Sequence, residues 1–344
     1  MTRPVKIAVI GGGYGAKIPL PVYGELPEFE PVAAWSRRPE RAQELAGEHG
    51  LELGSAELDE VLGHPGLEAV HVATPVAMHA GVAIAAARRG LHVLCEKPIA
   101  SDLAEAYTVV SAIEEVGVVG AVNFGRRFQA TRERLIERVR EVAGQPRMVS
   151  IELVQADHAE PDSRPFSWVQ DAVMGGGRLQ AYGIHDLDLL DEVFEVEAVA
   201  AATDVGVSPR QDADGTAREV TAEDAYAILL RFVGGGLGHV SLTATARHKR
   251  GDTIEVHGAE GTVRLDEDKR LWWGRAGEEL RSEGPIAASS KDAFARVARN
   301  FHAAIREGAP AEPSLDEGLR VQALFDAVRT AAAERRWVEP ERVG

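Results

Sequence analysis

Val5-Lys6-Ile7-Ala8-Val9-Ile10, followed without a break by Gly11-Gly12-Gly13-Tyr14-Gly15-Ala16, decides how this chain is read. The first run is apolar and of strand length, and the second fits G-x-G-x-x-G/A in the register Gly11, Gly13 and Ala16. In a nucleotide-binding turn Gly11 allows the tight bend and Gly13 lets the backbone approach a pyrophosphate. Ala16 lets the next helix pack closely, with its N-terminus towards the phosphates. A plain glycine turn is the alternative; the position directly after an N-terminal strand favours the dinucleotide.

The same rhythm continues outward. A strand from Phe29 to Trp35 ends in Ser36-Arg37-Arg38. An acid at that corner holds a free ribose 2′-hydroxyl, whereas guanidinium groups suit a 2′-phosphate, so a hydroxyl and two arginines point to NADP over NAD. The competing reading makes both arginines surface residues opening a helix from Pro39 to Gly47. Strands over Ala69–Ala73, Leu91–Cys95 and Val118–Val122 alternate with helices over Ala80–Arg89 and Leu103–Val116. That alternation predicts a right-handed parallel α/β sheet, a Rossmann-type domain over residues 1–122. Within it, Leu91-His92-Val93-Leu94-Cys95-Glu96-Lys97-Pro98 runs from an apolar strand into two opposite charges and a proline. Charges at the carboxyl end of a parallel strand face the ligand crevice, which makes Glu96 and Lys97 candidates for chemistry as well as for a surface ion pair.

From Asn123 the pattern changes. A helix over Ala130–Val142 is followed by runs alternating as strands do, Met148–Gln155, Ala198–Val205, Ala225–Phe232, Leu237–Thr245, Thr253–His257 and Thr262–Leu265, and by helices over Asp292–Arg306 and Leu315–Glu334. Hairpin links such as Gly234-Gly235-Gly236 predict a largely antiparallel, open-faced sheet in an α+β domain spanning 123–344, with Ser208–Glu223 as a loop at a hairpin tip. Gly175-Gly176-Gly177 leads to His185 at the opening of a helix; on its own that histidine reads as packing or capping before catalysis.

A chain of 344 residues with net charge −16 has material for two cores and lacks the basic surface that phosphate backbones need, so no nucleic-acid partner is expected. Its one cysteine, Cys95, excludes an internal disulfide or a thiolate zinc cluster, and the histidines show no metal-ligand spacing. No apolar stretch of about 7 to 15 residues stands near the start and no window reaches the ~18 of a membrane span, so a cytoplasmic protein with a small polar substrate is expected.

Five motifs carry a further reading: Gly11 to Ala16, Ala73-Thr74-Pro75 with His79, Glu96-Lys97-Pro98, Gly175 to Gly177 with His185, and His257-Gly258-Ala259-Glu260-Gly261-Thr262. In this order and spacing the chain resembles the Gfo/Idh/MocA oxidoreductase family, nearly end to end. The resemblance implies hydride transfer between NAD or NADP and a sugar, cyclitol or related polyol, and a homodimer or homotetramer joined through the open sheet. It implies catalytic roles for Lys97 and His185. The cofactor-binding set becomes Gly11, Gly13, Tyr14, Gly15, Ala16, Ser36, Arg37, Arg38, Ala73, Thr74, Pro75, His79, Glu96 and Lys97, with no metal. Two departures stand out: Ala181 occupies the place of an aspartate four residues before the histidine, and Val76 that of an asparagine. The first puts the family's usual proton relay in doubt. It keeps open a non-catalytic regulator binding cofactor and sugar; a second enzyme reading is a bound-cofactor redox-elimination enzyme acting on glycosides.

Overall fold

The computed structural model describes residues 3–343. They fall into two compact units, Met1–Phe128 with Ser289–Gln322, and Gln129–Ala288 with Ala323–Gly344.

The first unit is built on β1 (Val5–Ile10), β2 (Phe29–Trp35), β3 (Leu53–Ser55), β4 (Ala69–Val72), β5 (His92–Glu96) and β6 (Gly120–Asn123). They pair in the order β3-β2-β1-β4-β5-β6, every pair parallel. The chain winds outward from β1 to β3, then crosses to β4 and winds the other way. The order therefore switches between β1 and β4, and in such sheets the ligand crevice opens at the carboxyl ends flanking the switch. Between the strands run α1 (Tyr14–Lys17), α2 (Pro19–Glu25), α3 (Pro39–His49), α4 (Leu58–Leu62), α5 (His79–Ala87) and α6 (Leu103–Val116). Asp102 caps α6 by accepting from the Glu105 N–H at 2.8 Å.

The second unit begins with α7 (Ala130–Val142), β7 (Pro146–Val154), α8 (Ile184–Val193) and β8 (Val196–Asp204). A small hairpin of β9 (Arg210–Gln211) and β10 (Ala217–Arg218) follows. Next come β11 (Ala225–Phe232), β12 (Leu237–Thr243), β13 (Gly251–Gly258), β14 (Gly261–Leu265), β15 (Leu271–Arg275) and β16 (Arg281–Glu283). The eight-stranded sheet has the order β16-β15-β14-β13-β7-β12-β11-β8, antiparallel except where β12 lies parallel to β7. Alternation decides its faces. Leu135, Ile136 and Val139 of α7 and Leu189 and Leu190 of α8 face Val149, Ile151 and Val256 across a small apolar gap. Residues of opposite parity, among them Leu229 (55% exposed), Leu237 (50%) and Met148 (41%), stand out from the other face.

Two long helices close the chain, α9 (Ser290–Glu307) and α10 (Leu315–Glu334). The expected boundary at residue 122 falls inside the first compact unit, which runs to Phe128 and takes in Ser289–Gln322. The apolar stripe of α9, Phe294, Val297, Ala298 and Phe301, is buried in one core with Val5, Ile7, Tyr23, Phe29 and Leu94 of the first unit. Each of its large side chains contributes about 1.5–3 kcal/mol by burial, so the stripe decides where the helix docks. Arg306 adds an ion pair to Glu68 at 3.0 Å. No helix among the described residues is long and apolar enough to cross a membrane.

Candidate active site

At the carboxyl end of β1, Gly11 has φ +144°, and a Cβ there would lie 2.1 Å from the Ala73 carbonyl oxygen at the end of β4. Only glycine lets the two strand ends approach so closely. A Cβ on Gly13 would meet nothing within 4 Å, whereas one on Gly15 would press to 2.7 Å from Val9 Cγ1. The close helix-to-sheet packing expected of Ala16 thus falls first on Gly15, with Ala16 buried beside it. The helix expected to aim its N-terminus at the phosphates is only α1, four residues long. It breaks at Ile18 because Pro19 has no N–H to bond backward.

Ser36, at the end of β2, is buried, with its Oγ 3.0 Å from the Cβ position of Gly12. Arg37 and Arg38 are exposed, and neither guanidinium has a protein partner among the described residues. At the end of β4, Thr74 is buried and its Oγ1 has no hydrogen-bond partner among the described residues. His79 is buried too, with Nδ1 2.8 Å from the Pro98 carbonyl and Nε2 2.9 Å from the Thr74 carbonyl. Burial lowers its pKa although the two carbonyl acceptors oppose the change, and the ring ties the Thr74-Pro75 turn to the Lys97-Pro98 turn. Its nitrogens are occupied by backbone, which removes His79 from the side chains able to reach a cofactor.

Glu96 and Lys97 end β5. Glu96 Oε1 is 3.2 Å from His71 Nε2 and accepts from Asn123 Nδ2 at 2.5 Å, and His71 Nδ1 lies 3.2 Å from Tyr23 Oη. The Tyr14 hydroxyl lies beside Asn123 and Glu96, and desolvation first and the Glu96 charge second hold it protonated. Lys97 is half-buried, and its pKa is lowered to about 8, by desolvation first; Glu96 opposes the change and Arg126 reinforces it. A lysine so placed gains and loses a proton near physiological pH, which arginine cannot do.

In the second unit the three glycines answer to their neighbours. A Cβ on Gly176 would stand 2.5 Å from the Trp168 and Val169 carbonyls. One on Gly177, at φ +115°, would stand 2.1 Å from Glu223 Oε1. That carboxylate accepts from the Leu179 N–H at 2.8 Å and so caps the single π-turn, Leu179–Gly183, that runs into α8. His185 lies in the first turn of α8, half-buried. Arg132 pins the helix from α7, bonding Asp188 at 2.7 Å and Glu192 at 2.8 Å, with the His185 carbonyl at 3.5 Å. With Ala181 in the place of an aspartate, nearby carboxylates are the candidates to replace it; Asp157 is committed to Arg178 at 2.6 Å and Arg164 at 3.4 Å. Asp186 lies 3.5 Å from the Tyr226 hydroxyl, at the limit of a hydrogen bond.

Residues 5–124 match the model of an oxidoreductase family with an NAD-binding Rossmann fold, and residues 136–339 match that family's C-terminal alpha/beta domain. The chain belongs to the Gfo/Idh/MocA oxidoreductase family. A levoglucosan dehydrogenase of Pseudarthrobacter phenanthrenivorans is 29% identical over 388 residues, covering 98% of this chain and 99% of its own. An inositol 2-dehydrogenase of Rhizobium meliloti is 25% identical, with 97% and 98% covered. A solved levoglucosan dehydrogenase in complex with NADH and L-sorbose is similar with a TM-score of 0.87 at 26% identity, over 98% of this chain and 99% of that one.

This Gfo/Idh/MocA member is an NAD(P)-dependent oxidoreductase, and the first unit fits a dinucleotide on its own geometry. The space over Gly13 is open, a buried hydroxyl waits at Thr74, and two exposed guanidiniums stand at the end of β2. Tyr23, which bonds His71, and His71 and Asn123, which both bond Glu96, were not singled out from the sequence. A histidine inside the otherwise apolar strand Ala69–Val72 was the available signal, since a polar ring in a strand buried on both faces needs partners. Among the described residues no group of three or more His, Cys, Asp or Glu is arranged to hold a metal.

Proposed function

We propose that this oxidoreductase moves a hydride between NADP, in preference to NAD, and a carbon of a sugar, cyclitol or related polyol. Lys97 is the proton-transfer group, and the single observation that carries this role is its half-buried position at the end of β5 with a pKa lowered to about 8. The nicotinamide, when bound, accepts or returns the hydride. In the oxidative direction Lys97 takes the hydroxyl proton as the C–H bond is lost and the C=O bond forms; in the reductive direction its ammonium returns that proton. Gly11, Gly13 and Thr74 would hold the pyrophosphate side, Glu96 and Lys97 the nicotinamide side. Ser36, Arg37 and Arg38 would take the 2′-phosphate, the two guanidiniums being unengaged by protein. His185 supports the chemistry by positioning a substrate hydroxyl, because Ala181 cannot orient or charge its ring as a carboxylate would. The sugar class follows the names of the relatives. The uncovered face of the eight-stranded sheet, with Leu229, Leu237 and Met148 outward, supports a dimer or tetramer of this chain, which light scattering at micromolar concentration tests.

The experiment is a fluorescence titration with NADPH and NADH, followed by turnover with a panel of polyols and keto sugars. NADPH is expected to bind more tightly, and Arg37→Asp to weaken NADPH far more than NADH. Equal dissociation constants in the unmodified protein sink the NADP preference. Once a substrate is found, Lys97→Met should lose about 10² to 10⁴ in kcat and His185→Ala clearly less. Equal losses would restore a paired relay.

A further inference from the structure

Tyr23 on α2, His71 within β4 and Glu96 at the end of β5 form a chain of polar side chains beneath the crevice. His71 is fully buried, and an imidazole in a core needs both nitrogens bonded; here Tyr23 Oη and Glu96 Oε1 each stand 3.2 Å away. Burial first and the Glu96 charge second keep Tyr23 a phenol. A carboxylate at Glu96 only accepts, so Nε2 donates to it, and in the tautomer carrying that single proton Nδ1 accepts from the Tyr23 O–H. The chain ends at Tyr23, which is 0% exposed, so it is no conduit for protons to water. Its effect falls on the other end, where Glu96 Oε1 faces two donors, His71 and Asn123.

We propose that Tyr23 and His71 are positioning residues that draw the charge of the Glu96 carboxylate inward, weakening its hold on Lys97 and so easing the release of the lysine's proton. This rests on the reading of Lys97 as the proton-transfer group. Glu96 and Arg126 act on Lys97, and His79 in turn feels the lysine; Tyr14, Tyr23 and Cys95 also feel Glu96. Glu96 is the one member of this set whose attraction favours the ammonium of Lys97. Each N–H aimed at the carboxylate offsets part of that attraction. Removing the His71 N–H should strengthen the hold on Lys97, and removing the carboxylate should abolish it. The two changes have opposite signs.

The test is trace acetylation of the full chain with acetic anhydride across about pH 6 to 11, following each of the six lysines by peptide mass spectrometry. Lys97 should titrate at about 8 in the unmodified protein. His71→Phe should move that midpoint up by about one unit, Tyr23→Phe up by less, and Glu96→Gln down by about one unit. The double variant His71→Phe with Glu96→Gln should match Glu96→Gln alone, since His71 acts only through the carboxylate. A general loss of packing would not produce this pattern. A folded His71→Phe protein, with unchanged circular dichroism, whose Lys97 midpoint stays or falls overturns the proposal. Should His71→Phe fail to fold, Tyr23→Phe, which removes one oxygen and keeps the ring, decides in the same way. Labelling needs no substrate, so the shifts can appear even if Lys97→Met retains turnover; that result would sink the catalytic reading and leave the relay standing.

Discussion

Lys97→Met should stabilise this protein while stopping its chemistry. The substitution removes the charge and keeps an unbranched side chain of similar length. The pKa of Lys97 falls from an ordinary 10.5 to about 8 on folding, chiefly through desolvation. At pH 7 the folded and unfolded chains both hold the ammonium, so folding bears the whole difference, about 2.5 at ~1.4 kcal/mol each, or about 3 kcal/mol. Lys97 is only half-buried, so water relieves part of this and about 1–3 kcal/mol remains for methionine to recover. That corresponds to a rise of about 2–4 °C in the thermal midpoint. The sign of the pH dependence follows from which state binds more protons. Between about 8 and 10.5 the unfolded chain keeps a proton the folded chain has released, so the stability of the unmodified protein rises with pH. The advantage of the variant is therefore full below about pH 8 and nearly gone above 10.5. Melts of both proteins by circular dichroism across that range check it. A variant less stable at pH 7, or an advantage that ignores pH, would refute the reasoning, and either result would mean that Lys97 is not charged against its surroundings.

Gly177→Ala forces a Cβ towards Glu223 Oε1 at a φ of +115°, and should destabilise the second unit by about 1–3 kcal/mol in chemical denaturation while lowering kcat through the turn that carries His185. A Gly177→Ala protein with unaltered stability and kcat would show that the Glu223 cap is not needed there. His158 is buried, and desolvation first and the charge of Arg178 second lower its pKa to about 4, so between 6.5 and 4 the unfolded chain binds the extra proton and the second unit loses up to about 3 kcal/mol as pH falls. His158→Gln should flatten that acid limb, measured as urea midpoints between pH 4 and 7, and an unchanged slope would assign the acid sensitivity elsewhere.

Much of this was legible in the sequence where one element's own pattern suffices. β1, β2, α6, α7, β11 and α10 have the limits their periodicity and breakers predict. β3, β15 and β16 were not, because strands of three to five residues carry too few alternations to separate from loop. The stripe on α9 announces a buried face without naming what it meets, and Phe294 finds Tyr23 at 5.4 Å and His71 at 5.3 Å across more than two hundred residues of chain. The docking of that helix places 289–322 in the first unit, which a position late in the chain does not announce.

The candidate site divides along the same line. Glycine, proline and strand ends act through backbone geometry, which is local, so Gly11 and the Glu96-Lys97-Pro98 stretch could be read directly. What fits Lys97 to the proton-transfer role proposed for it is not local. Its lowered pKa comes from desolvation and from Arg126, against the opposing charge of the adjacent Glu96 carboxylate, which bonds His71 and Asn123 on two other strands. The same holds at Gly177, whose missing side chain is explained by Glu223, 46 positions further on. A motif thus marks where the backbone permits chemistry, whereas the strength of the acid and the aim of the base are set by side chains that meet only in the fold. Ala181 shows the consequence: its sequence position alone says that a carboxylate is missing, and the fold adds that Asp157, one residue able to replace it, is already held by two arginines. That loss is what supports the proposal that the proton falls to Lys97, whose surroundings lower its pKa.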